Sequence, residues 1–253
     1  MISILIPARN EQYLQNTIDD IREHAEEEIE ILVGLDGCEQ PVDNAIVHRE
    51  PVAIGQRAMT NKLAKMAKGE WLMKVDAHCS FSQGFDRILL EISDEKTMVA
   101  PAIMRLDAES WTPKPKPVLA NSVFGTNFVQ AFAEEQSKDP VVETMCLQGS
   151  AWLVHKNLYF SMNLCDESFG SWGRQAAETA IKVWTNGGRV LVSRQCYYAH
   201  LFRGVEDFPY ERDMKQVEGT YDHCLKLCTK DQLHELVKKL NYPMDWDLQY
   251  FTS

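Results

Sequence analysis

Short apolar runs and amphipathic stretches alternate along about the first hundred residues of the chain. The apolar runs have the length of buried strands, and Pro7 is predicted to end the first of them. The predicted strands cover residues 2–6, 30–35, 45–48 and 70–75. The predicted helices, whose apolar residues form one stripe, cover residues 11–25, 53–67 and 83–92. This alternation indicates an α/β fold of Rossmann-like type, with a mostly parallel central sheet flanked by helices.

The second half of the chain is less regular. The predicted strands there cover residues 97–106, 147–154 and 189–199, and the predicted helix covers 174–185. Asn186, Gly187 and Gly188 supply that helix with a C-terminal stop, and residues 112–117 form a proline-rich loop. From residue 206 onward the chain is polar with scattered leucines, which predicts a small helical tail. We therefore expect one domain over residues 1–205, with 206–253 as a helical extension packed on it.

Composition and charge narrow the class of protein. The chain has 253 residues, 45% of them apolar and 25% charged, as in an ordinary globular protein with a substantial core. The net charge of −11 argues against broad attraction to nucleic acid or to an anionic membrane. A local basic groove stays open as an alternative, and its candidate residues are Lys114, Lys116, Lys238 and Lys239.

The expected compartment is the cytoplasm. The sequence begins directly with a predicted strand, without the features of a signal peptide, and no apolar run approaches the roughly 20 residues that span a bilayer. The seven cysteines are scattered without CxxC pairs, which is typical of reduced thiols.

The most informative chemistry is Asp76-Ala77-His78, directly after a predicted buried strand. Residues two apart on a strand point to the same face, so Asp76 and His78 should project together, with Ala77 and Cys79 facing away. A carboxylate beside an imidazole, at the strand end where α/β sheets bind ligands, can hold a divalent cation. An isolated D-x-H motif is common, so the other motifs of the chain determine whether it indicates a metal site.

Further landmarks follow in a defined order along the chain. They are Pro7 to Glu11, Asp36-Gly37, Arg57 with Asn61, Asp76-Ala77-His78, Gln148-Gly149-Ser150, Asp166-Glu167, Trp172-Gly173 with Glu178, and His200-Leu201-Phe202-Arg203. The ordered set resembles nucleotide-sugar glycosyltransferases of the A-type fold, specifically family 2 and its relatives the polypeptide N-acetylgalactosaminyltransferases. The resemblance covers roughly residues 1–205 and is closest around residues 69–79, Trp172-Gly173 and His200 to Arg203.

The resemblance implies a donor site for a nucleotide diphosphate sugar, with UDP as the favoured nucleotide. The loop of Pro7, Ala8, Arg9 and Glu11 would wrap the nucleotide, and Glu11 would also cap the first turn of the following helix. Asp36 would accept hydrogen bonds from the base or the ribose. A plain turn after a strand is the alternative reading of Asp36-Gly37.

Other donor contacts are implied on a helix and in two loops. Arg57 and Asn61 lie four residues apart on one helix face, which in the family looks at the nucleotide; a solvated face is the alternative. Gly149 would let the backbone approach the donor sugar. Arg203 would swing onto the diphosphate, and the polar loop after it would act as a lid.

The implied metal ligands are Asp76, His78 and His200, as in the matching positions of the N-acetylgalactosaminyltransferases. Two imidazoles and one carboxylate favour Mn2+ over Mg2+, which prefers an all-oxygen shell. The cation would bridge the phosphates and neutralise charge on the departing nucleotide diphosphate.

The catalytic acid is the point at which the sequence departs from inverting family 2 enzymes. Those enzymes usually carry adjacent acids where this chain has Gln175 and Ala176. Either Glu178, Asp166 or Glu167 serves as the base, or the enzyme retains configuration, and the resemblance to retaining enzymes favours the latter. An i, i+4 pair of Glu178 with Lys182 on a helix surface is the alternative role of that acid.

The preferred function is a metal-dependent glycosyltransferase that moves a sugar from a nucleotide diphosphate to a hydroxyl. A nucleotidyltransferase is an alternative, although residues 7–11 lack the glycine that its phosphate loop needs. A non-catalytic nucleotide- or glycan-binding protein on the same fold is another. The acceptor stays open among an envelope glycan precursor, a protein side chain and a hydroxymethylated DNA base, and the net charge disfavours DNA.

Overall fold

The fold is built around one large twisted sheet. A computed structural model describes residues 1–115, 118–133, 138–204, 207–211, 213–243 and 245–247. Lys116 of the predicted basic groove, Pro117 of the predicted proline-rich loop and Glu206 of the predicted tail lie outside the described residues.

The strands and helices follow the predicted order. The strands are β1 (Ile2–Ala8), β2 (Ile29–Asp36), β3 (Ile46–Glu50), β4 (Trp71–Val75), β5 (Cys79–Phe81), β6 (Thr97–Asp107), β7 (Thr112–Pro113), β8 (Ser122–Phe124), β9 (Gln130–Phe132), β10 (Val141–Glu143), β11 (Ala151–His155) and β12 (Arg189–His200). The helices are α1 (Leu14–His24), α2 (Gln56–Met66), α3 (Phe85–Glu91), α4 (Lys156–Ser161), α5 (Gln175–Thr185), α6 (Met214–Leu227) and α7 (Lys230–Lys239). A 3-10 turn, Glu167–Phe169, precedes α5.

The sheet has the strand order β10-β12-β6-β11-β4-β1-β2-β3. Its first half, β4-β1-β2-β3, is parallel throughout, as the alternation of strands and helices predicts. The second half is mixed, because β11 runs antiparallel between β4 and β6 while β12 runs parallel to β6. The predicted α/β fold is therefore confirmed, and the antiparallel strands belong to the part of the chain where the pattern is less regular.

Helices cover both faces of the sheet because successive strand residues point to opposite sides. Ile4 and Ile6 of β1 pack in the same apolar cluster as α1 and α3. Leu5, between them, packs in the other cluster, with α2, α5 and the C-terminal helices. Strands buried on both faces need the nearly continuous apolar runs that the sequence shows.

The C-terminal helices share the second of these two cores. Cys224 of α6, Leu233 and Val237 of α7, and Trp246 after α7 are all buried within it. Helix α6 packs against α5 and the 3-10 turn. The predicted division at residue 205 stays a prediction, which an unfolding experiment can test.

Two predicted boundaries near the first strand need correction. Pro7 is predicted to end β1 but lies within it; its missing N–H is tolerated because β4 pairs with β1 only as far as Leu5. Helix α1 begins at Leu14 rather than at Glu11, and its N-cap residue, Tyr13, makes no side-chain cap. Glu11 therefore does not cap a helix, and its carboxylate is used elsewhere.

The structure also addresses cysteines and membrane spans. All seven cysteines are free thiols, and six of them are buried. Across the part of the chain that the structure describes, the helices are too short or too polar to cross a bilayer.

Candidate functional site

A cavity of about 510 Å3 opens where the carboxyl ends of several strands meet. Its wall contains the ends of β1, β2 and β12 and the segment between β4 and β5. Residues 53–56, before and at the start of α2, also line the cavity, as do Gln148, Ser171, Trp172 and residues from the segment between β12 and α6. The edge formed by the carboxyl ends of the strands is where open α/β sheets bind ligands.

Asp76, His78 and His200 converge on one side of this cavity. One ligand atom from each lies within 4.8 Å of the others. They meet because the chain changes partners between Val75 and Cys79: β4 pairs with β1 and β11, whereas β5 pairs with the end of β12. The alternation predicted for this segment holds, since Ala77 and Cys79 are buried in the apolar core.

The imidazoles of this cluster are suited to bind a cation. Among the described residues, neither nitrogen of His200 makes a hydrogen bond, and Nδ1 of His78 makes none either. Their nearest charged neighbours are carboxylates: His200 Nε2 lies 3.4 Å from Asp76 Oδ2, and His78 Nδ1 lies 3.3 Å from Glu11 Oε2. Burial lowers the pKa of His200 to about 4, so the ring is neutral at neutral pH and can act as a ligand. Buried, unpaired nitrogens beside a carboxylate match the donor set that a divalent transition metal prefers.

Asp76 is held in place by Lys74, which sequence reasoning missed. Burial alone would raise the pKa of Asp76, but the neighbouring Lys74 ammonium and His200 keep it below its ordinary value. Lys74 is fully buried and donates to Asp76 Oδ1 and, at 2.6 Å, to the carbonyl of Gly149. Its i, i+2 spacing from Asp76 on a strand is the signal that could have identified it.

Glu11 and Arg203 form a buried ion pair on the wall of the cavity. Arg203 Nη1 donates to Glu11 Oε1 at 3.0 Å, and Nη2 donates to Oε2. Glu11 Oε2 also lies 3.3 Å from Nδ1 of His78. Burial would raise the pKa of Glu11, but His78 and Arg203 together lower it, so the carboxyl is ionised.

Asp36 lies on the cavity wall and fixes a loop. Its Oδ1 accepts the backbone N–H of Ile54 at 2.7 Å, and its Oδ2 accepts that of Gly55 at 2.9 Å. The predicted nucleotide-binding loop also lies on the wall, since Pro7, Ala8 and Arg9 all line the cavity. Asp36 thereby holds residues 53–55 in place beside that loop.

Arg57 and Asn61 do not face the cavity, contrary to the prediction. Arg57 is fully buried and donates to Glu178 Oε2 at 2.8 Å and to the carbonyls of Gly170 and Gly173. Asn61 donates to the carbonyl of Cys165 at 2.8 Å. The polar face of α2 packs against residues 165–178, so these side chains support the cavity wall from behind.

The three predicted catalytic acids and Gly149 also lie off the cavity wall. Glu178 is fully buried, where it accepts from Arg57, from Lys182 at 2.8 Å and from the backbone N–H of Asp166. Asp166 caps the 3-10 turn, and Glu167 accepts from Asn61. The helical period of a sequence does not indicate whether another segment will cover the polar face of the helix. The sequence alone therefore could not exclude these acids from the catalytic site.

The cavity wall also contains a group of aromatic residues, of which only Trp172 was among the landmarks of the sequence. Trp172 packs edge-on against Phe208, with ring centroids 6.3 Å apart, and Phe208 contacts Tyr210. The guanidinium of Arg9 lies over the Tyr210 ring at 5.8 Å. Glu211 is exposed on the same wall. Clustered aromatic residues in a polar loop are a weak signal, because surface packing explains them equally well.

The chain matches the glycosyl transferase family 2 model over residues 3–158. Curated relatives include polypeptide N-acetylgalactosaminyltransferase 3 of Drosophila melanogaster, 24% identical over 170 residues that cover 61% of this chain and 25% of the relative. A probable N-acetylgalactosaminyltransferase 8 of Caenorhabditis elegans is 23% identical over 64% of this chain and 40% of its own length. The chain thus spans between a quarter and two fifths of the length of these relatives.

Solved structures share the fold at low sequence identity. A crystal structure of GalNAc-T7 with UDP, GalNAc and Mn2+ aligns with a TM-score of 0.78 and 16% identity, covering 100% of this chain and 56% of that one. TarS of S. aureus, residues 1–349 in complex with UDP-GlcNAc, aligns with a TM-score of 0.64 and 13% identity, over 95% of this chain and 71% of that one. The predicted A-type fold is confirmed. Because the family model covers more than half of its residues, the chain belongs to glycosyl transferase family 2.

Proposed function

We propose that this protein transfers a sugar from a nucleotide diphosphate sugar to a hydroxyl group, with a divalent cation held by Asp76, His78 and His200. The observation that carries the proposal is this cluster on the cavity of a family 2 chain, in which the buried ring of His200 makes no hydrogen bond to the described residues. When bound, the cation supplies positive charge to the departing diphosphate. The ligand set favours Mn2+, and the similar GalNAc-T7 structure contains Mn2+ and UDP.

We assign the donor to the wall formed by residues 7–9, Asp36 and Arg203. Arg203 lies three residues after His200, so its guanidinium can reach a diphosphate bound at the cation. Asp36 fixes the backbone of residues 53–55, which forms the neighbouring wall for the nucleoside. UDP is the proposed nucleotide, in line with the UDP and UDP-GlcNAc of the similar structures.

We propose that the transfer retains the configuration of the sugar. Five carboxylates line the described cavity wall, and four of them have other roles. Glu11 pairs with Arg203, Asp36 accepts two backbone N–H groups, and Asp76 belongs to the cation site. Asp213 caps α6 by accepting the backbone N–H of Gln216. A front-face transfer needs no dedicated base, because the departing phosphate can take the proton of the acceptor hydroxyl. Glu211, exposed on the same wall, is the base that the structure offers to the inverting alternative.

The acceptor is proposed to enter beside the aromatic wall of Trp172, Phe208 and Tyr210. Flat aromatic rings in the same cavity as a polar cation site suit a sugar or another amphipathic acceptor bearing a hydroxyl. The acidic charge of the chain makes a DNA acceptor the least favoured of the three predicted classes.

The test combines calorimetric binding of UDP with an assay of UDP-sugar hydrolysis and transfer, each with and without Mn2+. We expect UDP binding and UDP release to require Mn2+ in the wild type and to be lost in His200→Ala. His48→Ala removes a partly exposed histidine of β3, the strand at one edge of the sheet, and is the matched control that should behave as the wild type. Nuclear magnetic resonance of the product distinguishes retention from inversion.

Each alternative has its own outcome. UDP binding at full strength in His200→Ala would exclude this cation site. Mn2+-dependent binding without any release of UDP over a panel of acceptors would favour a non-catalytic binding protein. Release of pyrophosphate from a nucleoside triphosphate would favour the nucleotidyltransferase. An inverted product that is lost in Glu211→Gln would replace the retaining proposal.

A further inference from the structure

The carboxylate of Glu11 lies between two groups that the proposed function uses. Its two oxygens each accept a hydrogen bond from one Nη group of Arg203. Its Oε2 also lies 3.3 Å from Nδ1 of His78. All three side chains line the same cavity. The three residues come from the loop after β1, from the segment before β5 and from the segment after β12, so only the fold brings them together.

Burying these charged groups costs desolvation free energy. Glu11 is 6% exposed and the Arg203 side chain is 10% exposed. A buried ion pair often contributes little net stability, because removing both charges from water offsets their attraction. A pair of this kind on the wall of a binding cavity is therefore better explained by what it positions than by what it stabilises.

The backbone of Glu11 is held by contacts that do not involve its carboxylate. The backbone N–H of Glu11 donates to Gln40 Oε1 at 3.2 Å, and Gln40 Nε2 donates to the backbone carbonyl of Glu11 at the same distance. The loop is thus fixed through its backbone by Gln40, which leaves the side chain of Glu11 free for another role.

We propose that Glu11 is a positioning residue that aligns His78 for the cation and Arg203 for the donor diphosphate. This inference rests on the proposed function. With Nδ1 of His78 facing Glu11, Nε2 is the nitrogen offered to the cation, and the carboxylate fixes both the tautomer and the ring orientation. Arg203 has five N–H donors, of which Glu11 uses two, so the guanidinium can hold Glu11 and a phosphate at once.

Glu11→Gln tests the inference because the amide keeps the size of the side chain but removes the charge and one acceptor. We measure Mn2+ binding without nucleotide, by electron paramagnetic resonance of the free ion, and then UDP binding at saturating Mn2+. Glu11→Gln should weaken Mn2+ binding by about 10–100-fold, the usual cost of losing a group that orients a metal ligand. Arg203→Met should leave Mn2+ binding undiminished, because His78 keeps its carboxylate, but should weaken UDP binding.

Gln40→Ala is the control for a merely structural effect. It loosens the backbone of the same loop while keeping the carboxylate, so it should lower the melting temperature without weakening Mn2+ binding. Thermal unfolding of Glu11→Gln shows that the variant is folded during the metal titration.

The outcomes separate this inference from the proposed function. Wild-type Mn2+ affinity in Glu11→Gln, with binding lost in His200→Ala, would overturn the role of Glu11 alone. Equal weakening in Glu11→Gln and Gln40→Ala would assign the effect to loop position and also overturn it. Failure of the wild type to bind Mn2+, or full binding in His200→Ala, would overturn the proposed cation site and this inference together.

Discussion

Glu178 shows how a single carboxylate can serve the site without touching it. Its two oxygens accept from Arg57, Lys182 and the backbone N–H of Asp166, and no part of its side chain is exposed. Arg57 in turn binds the carbonyls of Gly170 and Gly173, on either side of two residues of the cavity wall. The wall around Trp172 therefore depends on a buried charge cluster behind it.

We predict that Glu178→Gln destabilises the protein by about 3–5 kcal/mol, because Arg57 and Lys182 would keep buried charges without their shared counterion. Urea denaturation gives the change in unfolding free energy. Glu91→Gln removes the partner of an exposed ion pair with Arg87 and should change that free energy by no more than about 0.5 kcal/mol. A lost transfer activity with unchanged unfolding free energy in Glu178→Gln would instead support the predicted role as general base.

At the scale of residues, the sequence predicted the site residues that lie at the end of a strand. Asp76 and His78 share a face through the period of two, and His200 was implied only by the family resemblance. Arg57 and Glu178 were misplaced because a helical period identifies a polar face but not the segment that covers it. The contact of Glu11 with Arg203 joins residues 192 positions apart, and no local pattern encodes such a pair.

At the scale of elements, the end of α5 uses two neighbouring glycines for different reasons. Gly187 has φ +74°, in the left-handed region, and a Cβ atom there would meet nothing within 4 Å. A Cβ atom on Gly188 would lie 2.4 Å from the backbone carbonyl oxygen of Lys96. The N–H groups of both glycines bind carbonyls of the last turn of α5, which ends the helix as the sequence predicts.

Substitutions at these glycines should therefore behave differently. Gly187→Ala should cost about 1–2 kcal/mol of unfolding free energy through backbone strain, and Gly187→Asn should cost less, because asparagine tolerates this conformation. Gly188→Ala and Gly188→Asn should both cost about 3 kcal/mol, since a backbone carbonyl cannot rotate away from the new side chain. Denaturant titrations of the four variants give the comparison, and a rescue by asparagine at Gly188 would contradict it.

The strands that the sequence missed are short. Strands β8, β9 and β10 have three residues each, too few for a periodic pattern to appear. The antiparallel position of β11, between β4 and β6, follows from the sheet as a whole rather than from residues 151–155. The parallel first half was predictable because β1, β2 and β4 are apolar runs that alternate with amphipathic helices.

At the scale of the whole molecule, the C-terminal helices contribute to both the core and the cavity. Trp246, only 1% exposed, donates through its indole N–H to the carbonyl of Phe124 in β8. Arg174, just before α5, donates to the carbonyl of Val217 and to the hydroxyl of Thr220 in α6. These contacts link the tail to β8 and to the residue before α5, which supports its unfolding together with residues 1–205.

We predict that Trp246→Ala lowers the stability of the entire protein by about 3–5 kcal/mol, the usual cost of truncating a buried tryptophan. Calorimetry should show a single transition, with equal calorimetric and van't Hoff enthalpies, that moves down by roughly 10 °C. Leu225→Ala, at a site 39% exposed on α6, should leave the transition within about 0.5 kcal/mol of the wild type. Two transitions, of which only the one at lower temperature is shifted by Trp246→Ala, would show that the tail is a separate folding unit. A single transition whose midpoint temperature is raised by UDP with Mn2+ would instead show that core, tail and cavity unfold as one unit. A ligand that binds only the native state stabilises every part of the protein that unfolds together with its site.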